Sequence, residues 1–324
     1  MPSLLKTPQF DEEERFLVRL AWACEIEGMT QAGAAARFGV TRLRVNQALG
    51  EARRRGIIRV VINSPYSACA EAEMKLVDSF GLDHASVAPN VADAGMVQYM
   101  VGTALGLHLS DILADAHMHR FGMSWGNTLN FATRAVRGVN RPDLEIISVM
   151  GGLTRGSDLN IFEITTRLAN HCMAQHSYLT APLYASSHES AAVLGEQEVF
   201  REVIDKIRGV NALAMAAGDM SSRSMLVRDG LPSGVLREDL LAAGAVGDVL
   251  GYFLNAEGKP VDHPVNNRVI GIELDDLRAI PNVILAAGGR HKVPIIRAAL
   301  AAGWTNTLVT DEDTASLLLS EGAA

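Results

Sequence analysis

The 324-residue sequence contains no apolar run of the roughly 18 residues that a membrane span requires. Its first residues, Met1-Pro-Ser-Leu-Leu-Lys-Thr-Pro8, carry neither the apolar core nor the cleavage site of a secretory signal, so a cytoplasmic location is expected. Cysteine is scarce: Cys24, Cys69 and Cys172 are odd in number, widely spaced and without a C-x-x-C pair. That excludes a disulfide scaffold and leaves reduced, buried thiols as the expectation. There is no internal repeat and no low-complexity tract. No Ser-His-Asp or Cys-His constellation can be placed from sequence order, and no cofactor motif is present. What the chain does hold is 48% hydrophobic residues with only 5% aromatics, a profile rich in Ala, Val, Leu and Gly. Such a composition suits packed α/β layers, and the length fits two domains, one of them large.

The most informative stretch lies near the start, from Met29 to Gly56. Thr30 is a good N-cap for a first helix that carries Ala34, Ala35 and Phe38 inward, and Gly39 supplies a left-handed stop. Thr41 then caps a second helix in which Leu43, Val45 and Leu49 are expected to face a core. Thr41, Arg42, Arg44, Asn46 and Gln47 are left to point outward, with Gln31 and Arg53 flanking them. Two helices joined by a short turn, the second bearing guanidinium and amide groups, are what major-groove reading needs, because Arg forks match guanine and Asn or Gln matches adenine. Residues 11–27 read as a supporting helix, and Ile57 to Ile62 as a β-branched strand able to form a wing.

Charge is segregated in the same sense. Residues 37–59 hold seven arginines against one acid, Glu51, and residues 1–63 carry +3 within a chain whose net charge is −8. A basic module on an acidic body points to nucleic acid at one end only. The polar break Asn63-Ser-Pro-Tyr-Ser67 marks the expected boundary, giving a DNA-binding domain over 1–63 and a larger domain over 64–324.

From about residue 70, short apolar strands alternate with helical stretches. Strands are expected at 85–88, 117–123, 144–150, 212–217, 248–254, 283–287 and 307–310. Helices are expected around 71–80, 96–115, 129–137, 161–172, 198–208, 293–302 and 312–320. This alternation predicts a mainly parallel sheet with helices on both faces, in which ligands sit at the carboxyl ends of the strands. Five loops in those positions are unusual: Phe121 to Thr128, Met150 to Asn160, Gly218 to Ser224, Gly244 to Leu250 and Gly288 to Lys292. Their glycines, hydroxyls, carboxylate and lysine suit a small polyhydroxylated ligand, and the first presents backbone N–H groups at a helix N-terminus, a cradle for phosphate. His117 and His119 would share one face of a strand but have no third ligand beside them. They read as hydrogen-bonded strand residues rather than a metal pair.

The whole chain resembles the SorC type of bacterial transcriptional regulator. The resemblance rests on Glu51-Ala-Arg-Arg-Arg-Gly-Ile-Ile-Arg-Val60, Met123-Ser-Trp-Gly-Asn-Thr-Leu129, Val149-Met-Gly-Gly-Leu153, Ala181-Pro-Leu183, Gly244-Ala-Val-Gly-Asp-Val249, Val269-Ile-Gly-Ile-Glu-Leu274, Ala286-Ala-Gly-Gly-Arg-His-Lys-Val293 and Asn306-Thr-Leu-Val-Thr-Asp-Glu-Asp-Thr-Ala315, in order over nearly the full length. It implies a winged helix-turn-helix followed by a sugar-binding domain of the phosphosugar-isomerase-like fold, assembled as dimers or tetramers whose grip on operator DNA a sugar, sugar phosphate or polyol controls. Carried over by position, Ser124, Gly126, Asn127 and Thr128 would hold a phosphate or terminal hydroxyls. Asn160, Asp248 and Lys292 would line the same pocket.

A different reading is an enzyme, since this fold also carries sugar-phosphate isomerases and deaminases. Asp248 would then be the general base and Lys292 the electrostatic stabiliser. The basic front end argues against it, because an isomerase has no use for a helix-turn-helix. A DNA-binding structural protein without ligand control leaves the Gly-rich α/β loops unexplained.

Overall fold

The computed structural model describes residues 11–59, 64, 66–153 and 161–320. The chain folds as two compact units, Met1–Ser64 and Pro65–Ala324.

The first unit is three helices: α1 (Glu12–Ala21), continued by a π-helical turn Trp22–Ile26, then α2 (Gln31–Phe38) and α3 (Arg42–Arg54). Each starts at a side-chain cap. Asp11 Oδ1 accepts the Glu13 and Glu14 N–H groups at 3.0 and 3.1 Å, Thr30 Oγ1 that of Gly33 at 3.1 Å, and Thr41 Oγ1 that of Arg44 at 3.2 Å. Gly39, at φ 65°, ends α2 in the left-handed conformation that glycine adopts without steric cost. Leu17, Leu20, Ala34, Val45, Ala48, Leu49 and Ala52 close the core.

Leu43 departs from expectation, being 68% exposed. The buried positions of α3 are Val45, Ala48, Leu49 and Ala52, a stripe at helical spacing, and Leu43, two residues before Val45, lies about 200° from it around the axis. The expected wing strand is not seen at 57–59. Ile57 and Ile58 instead bend back, both N–H groups donating to the Ala52 carbonyl, and pack on the helical core. The rest of that stretch, 60–62, lies outside the described residues.

The second unit runs α4 (Ser67–Phe80), β1 (His84–Ala88), α5 (Val97–Ala114), β2 (Arg120–Met123), α6 (Asn127–Ala135), β3 (Glu145–Ser148), α7 (Ile161–Cys172), β4 (Gln175–Ser177), α8 (His188–Gly195), α9 (Glu198–Arg208), β5 (Ala212–Met215), β6 (Ala217–Asp219), α10 (Arg237–Ala242), β7 (Gly247–Val249), β8 (Tyr252–Leu254), β9 (Asn282–Ala286), α11 (Val293–Ala301), β10 (Thr307–Asp311) and α12 (Glu312–Ser320). Seven strands form a parallel sheet in the order β1-β10-β9-β5-β2-β3-β4. Alternate residues feed two cores. On β5 and β9, Ala212, Ala214, Ile284 and Ala286 face the layer of α5, α6 and α7, while Leu213, Met215, Val283 and Leu285 face the layer of α4, α9, α11 and α12. The sheet is therefore covered on both faces, as a parallel sheet requires.

Three expected strands resolve differently. Within 212–217, β5 ends at Met215 and Ala217 already opens β6, a strand of a second sheet. The run 248–254 is a hairpin, β7 and β8, that joins β6 in a small antiparallel sheet. His117 and His119 precede β2 rather than belonging to it, and both side chains are exposed. No group of three metal-ligating side chains occurs among the described residues.

Helix α5 is apolar on nearly every side, and two of its glycines set how closely α6 approaches. A Cβ on Gly102 would come within 2.6 Å of Phe131 Cβ and the Thr128 carbonyl, and one on Gly106 within 2.5 Å of the Ala132 carbonyl. Backbone cannot yield as a flexible side chain can. Gly106→Val is expected to destabilise the fold by about 1–3 kcal/mol, read as a lowered denaturation midpoint. An unchanged midpoint would show that α6 can shift freely.

Candidate functional site

Strand order reverses at β2 and β5: β3 and β4 extend from one side of that ladder, β9 and β10 from the other. A crevice beyond the carboxyl ends is the expected ligand position in such a sheet. A cavity of about 650 Å³ lies there. Asn90 after β1, Asp311 of β10, Gly288 after β9, Ala216 after β5, Ser124 after β2 and Met150 after β3 all border it, so six of the seven parallel strands open into one space.

One wall is the start of α6. Ser124 continues β2, its N–H donating to the Ala214 carbonyl at 3.0 Å. Gly126 then turns the chain at φ 140° into Asn127 and Thr128, the first residues of the helix. The first-turn N–H groups of a helix have no intrahelical acceptor and attract negative charge. Ser124 and Thr128 are each only 2% exposed, and the buried indole N–H of Trp125 has no acceptor among the described residues.

The opposite wall is the small antiparallel sheet. Leu250 and Gly251, at φ 53° and 84°, make the two-residue turn between β7 and β8. Positive φ matches such a turn to strand twist, but a bulky residue adopts it only under restraint. Leu250 is 3% exposed, and the Tyr184 hydroxyl ties the turn down by donating to the Gly251 carbonyl at 2.6 Å. This hairpin sets Asp248 opposite Gly218 of β6.

Asp248, Asp219 and Lys292 are 8%, 7% and 7% exposed. Burial pushes the Asp248 carboxyl up to about 7; the Gly251 N–H and the Lys292 charge pull the other way, and Asp219 adds to the rise. Burial likewise lowers Lys292, which Asp219 and, after it, Asp248 hold up. His291 is lowered mainly by burial.

In the first unit, Thr41, Arg42, Asn46 and Gln47 are exposed on α3, while Gln31 and Arg44 are half-buried. Many of the arginines are already engaged. Arg44 meets Glu13 at 2.5 Å and lies over the Phe16 ring, Arg53 meets Glu25 at 3.0 Å, Arg37 meets Glu27 at 2.5 Å, and Arg54 and Arg55 share Glu51. Arg42 and Arg59 make no ion pair among the described residues.

Residues 64–320 match the Sugar-bind family of sugar-binding domains. Over 314 residues the chain is 33% identical to the transcriptional regulator LsrR of Escherichia coli, the alignment covering 95% of each chain. The chain belongs to the SorC family of transcriptional regulators. It is also 28% identical over 311 residues to the erythritol catabolism regulatory protein EryD of Brucella abortus, covering 96% of this chain and 98% of that one. Among solved structures, the full-length sorbitol operon regulator SorC of Klebsiella pneumoniae shares its fold at a TM-score of 0.70, with 23% identity, over 95% of this chain and all of that one. Relatives named as transcriptional regulators set aside the isomerase reading.

Of the effector-site residues expected in this SorC-type regulator, Ser124, Gly126, Asn127, Thr128, Asp248 and Lys292 border the one cavity. Asn160 lies outside the described residues. Sequence reasoning had singled out neither Trp125, Asp219, Asp311 nor Arg290, which border it too. Asp219 sits in a loop flagged for its hydroxyls and arginine, and only the β6–β7 ladder shows that it accompanies Asp248. Asp311 is structural, its Oδ2 accepting from the Gly289 N–H at 2.7 Å and the Thr314 hydroxyl at 2.6 Å.

Removing the buried cation leaves two buried carboxyl groups without compensation. Lys292→Met is expected to cost about 3–5 kcal/mol near pH 8 and less near pH 5, where Asp248 is neutral. Denaturation midpoints of the variant and the natural protein across that range check it; a loss independent of pH would mean that Lys292 does not act through Asp248.

Proposed function

We propose that the regulator binds operator DNA through α2 and α3 of a domain spanning residues 1–63, and that a sugar, sugar phosphate or polyol held in the cavity of the domain spanning 64–324 controls that binding. The observation that carries this reading is the cavity itself, in which buried hydroxyls, an open helix N-terminus and a Lys–Asp cluster converge, in a chain that also carries a separate helical unit with an arginine-bearing outer face. The chemistry is that of oxygen-rich ligands, and the relatives regulating erythritol and sorbitol genes point the same way. The protein works in the cytoplasm as a homo-oligomer, dimer or tetramer. A two-fold dimer presents two α3 helices about 34 Å apart, or a multiple, to a palindromic site. Effector binding favours one arrangement, and a coupling of about 1–3 kcal/mol is enough to change occupancy.

On α3, Thr41, Arg42, Asn46 and Gln47 face the bases or phosphates, with Gln31, Arg44 and Arg53 at the rim. The ion pairs of Arg44 and Arg53 are surface pairs, worth at most about 1 kcal/mol, so phosphate can displace Glu13 and Glu25. Arg42 makes no ion pair among the described residues, so it has no such pair to give up on binding. Arg42→Ala is therefore expected to weaken operator binding more than Arg44→Ala, with effector-induced stabilisation intact in both; a larger effect of Arg44→Ala would reverse the ranking.

The direct test pairs two measurements on the full chain. A thermal-shift screen with erythritol, sorbitol and their phosphates identifies a compound that raises the midpoint, since a ligand of the folded state alone must do so. That compound is then added to a gel shift with the DNA upstream of the protein's own gene. Stabilisation together with an altered shift supports the reading. A compound that stabilises the protein and is chemically converted, with no DNA retained at low salt, overturns it.

A further inference from the structure

The inner wall of the cavity poses an electrostatic question that goes deeper into the effector-site reading and rests on it. Three ionisable groups, Asp219, Asp248 and Lys292, are each more than nine-tenths buried there. Two negative charges and one positive charge would leave a net buried charge. Asp248 is the member whose surroundings fit ionisation worst. Its Oδ1 is buried and finds no hydrogen-bond donor among the described residues. That oxygen is pressed against Gly218, where any side chain would collide with it, so no water or donor group fits between them from that side. An ionised carboxylate needs donors on both oxygens, and a buried one without them is costly. Asp219, by contrast, has its Oδ2 met by the Ser221 N–H at 3.1 Å and is the acid that most strongly supports the Lys292 charge.

We propose that Asp248 enters the effector complex as a neutral carboxylic acid, donating its proton in a hydrogen bond to an oxygen of the effector, while Asp219 alone balances Lys292. The inner wall is then electrically neutral and takes an uncharged, oxygen-bearing end of the ligand, a hydroxyl or carbonyl. Any phosphate is left to the α6 end, where the first-turn N–H groups lie. The other groups that act on Asp248 agree with this assignment. Asp219 on β6 opposes its ionisation, Lys292 after β9 favours it, as does the Gly251 N–H of its own hairpin, and burial outweighs both to bring its pKa to about 7. Tyr184, after β4, stays a neutral phenol, its own ionisation opposed by burial and by Asp248.

The protonation state is read without any ligand, by following the ¹³C-carboxyl resonances of aspartate-labelled full-length protein from pH 4 to 9. The Asp248 resonance is assigned by its loss in Asp248→Asn and, should that variant not fold, by the downward shift of one midpoint in Asp219→Asn. A midpoint near neutrality is expected, and one close to the usual value of about 4 overturns the proposal. With erythritol, sorbitol and their phosphates as probes, any that binds is expected to weaken about tenfold per pH unit above that midpoint. The amide of Asp248→Asn, which keeps a donor, holds affinity within about threefold and abolishes the pH dependence, whereas Asp248→Ala loses affinity at every pH. Affinity that rises with pH, or is lost in the asparagine variant at pH 6, shows an accepting carboxylate and overturns the proposal. Failure of all four probes counts against the effector class proposed above and leaves the carboxyl titration to decide this one.

Discussion

Above the ladder between β2 and β5 the chain has to part, because the strands that follow β2 spread to one side of the sheet and β9 and β10 to the other. Parallel strands leave their carboxyl ends unpaired and aligned, so the gap gathers loops from six strands into one space. The rest of the second unit serves that gap. The glycines of α5 let α6 pack close enough for its N-terminus to open into the cavity, and the antiparallel hairpin brings a carboxyl group to the other side. Neither wall would be placed without the seam between them.

The two walls differ in what they offer. At α6 the donors are backbone N–H groups and hydroxyls, fixed in direction and insensitive to pH over the physiological range. The opposite wall instead gathers three ionisable side chains, Asp248 of the hairpin, Asp219 of β6 and Lys292 after β9, in a shared low-dielectric space where each state constrains the others. Under the proposed function, a ligand with one anionic end and a chain of hydroxyls would meet complementary chemistry at both walls, and an uncharged polyol would still engage both.

Much of this was legible in the sequence because the signals were local. The helices at 161–172, 198–208 and 312–320 have the bounds expected of them, and Thr30, Gly39 and Thr41 cap and stop the first-unit helices as their residue types require. The losses have physical reasons. Strand β4 is three residues, Gln175–Ser177, and polar, so no apolar alternation announces it. The turn at Leu250-Gly251 lacks the Asn-Gly or Asp-Gly signature, which made a hairpin read as one strand. Leu43 was assigned inward on hydrophobicity, but a narrow helix-packing stripe had no place for it. Of the arginines counted as free positive charge, Arg54 and Arg55 are held locally by Glu51, whereas Arg37, Arg44 and Arg53 are held by Glu27, Glu13 and Glu25, pairings between residues 10 to 31 apart that no local pattern can show. Likewise Asp219 and Asp248 become neighbours only through the β6–β7 ladder.

Strand β10, the last of the sheet, slots between β9 and β1, the first, pairing residues 307–311 with 84–88. The cavity takes its border from both ends of this arrangement, Asn90 near the start of the unit and Asp311 near its close. During synthesis, then, the domain cannot seal its central sheet until residues 307–311 have left the ribosome, and nascent β1 must wait with an unfilled edge. A chain cut short before residue 307 would lack the strand that joins β1 to the rest of the sheet, and with it the border that Asp311 gives the cavity.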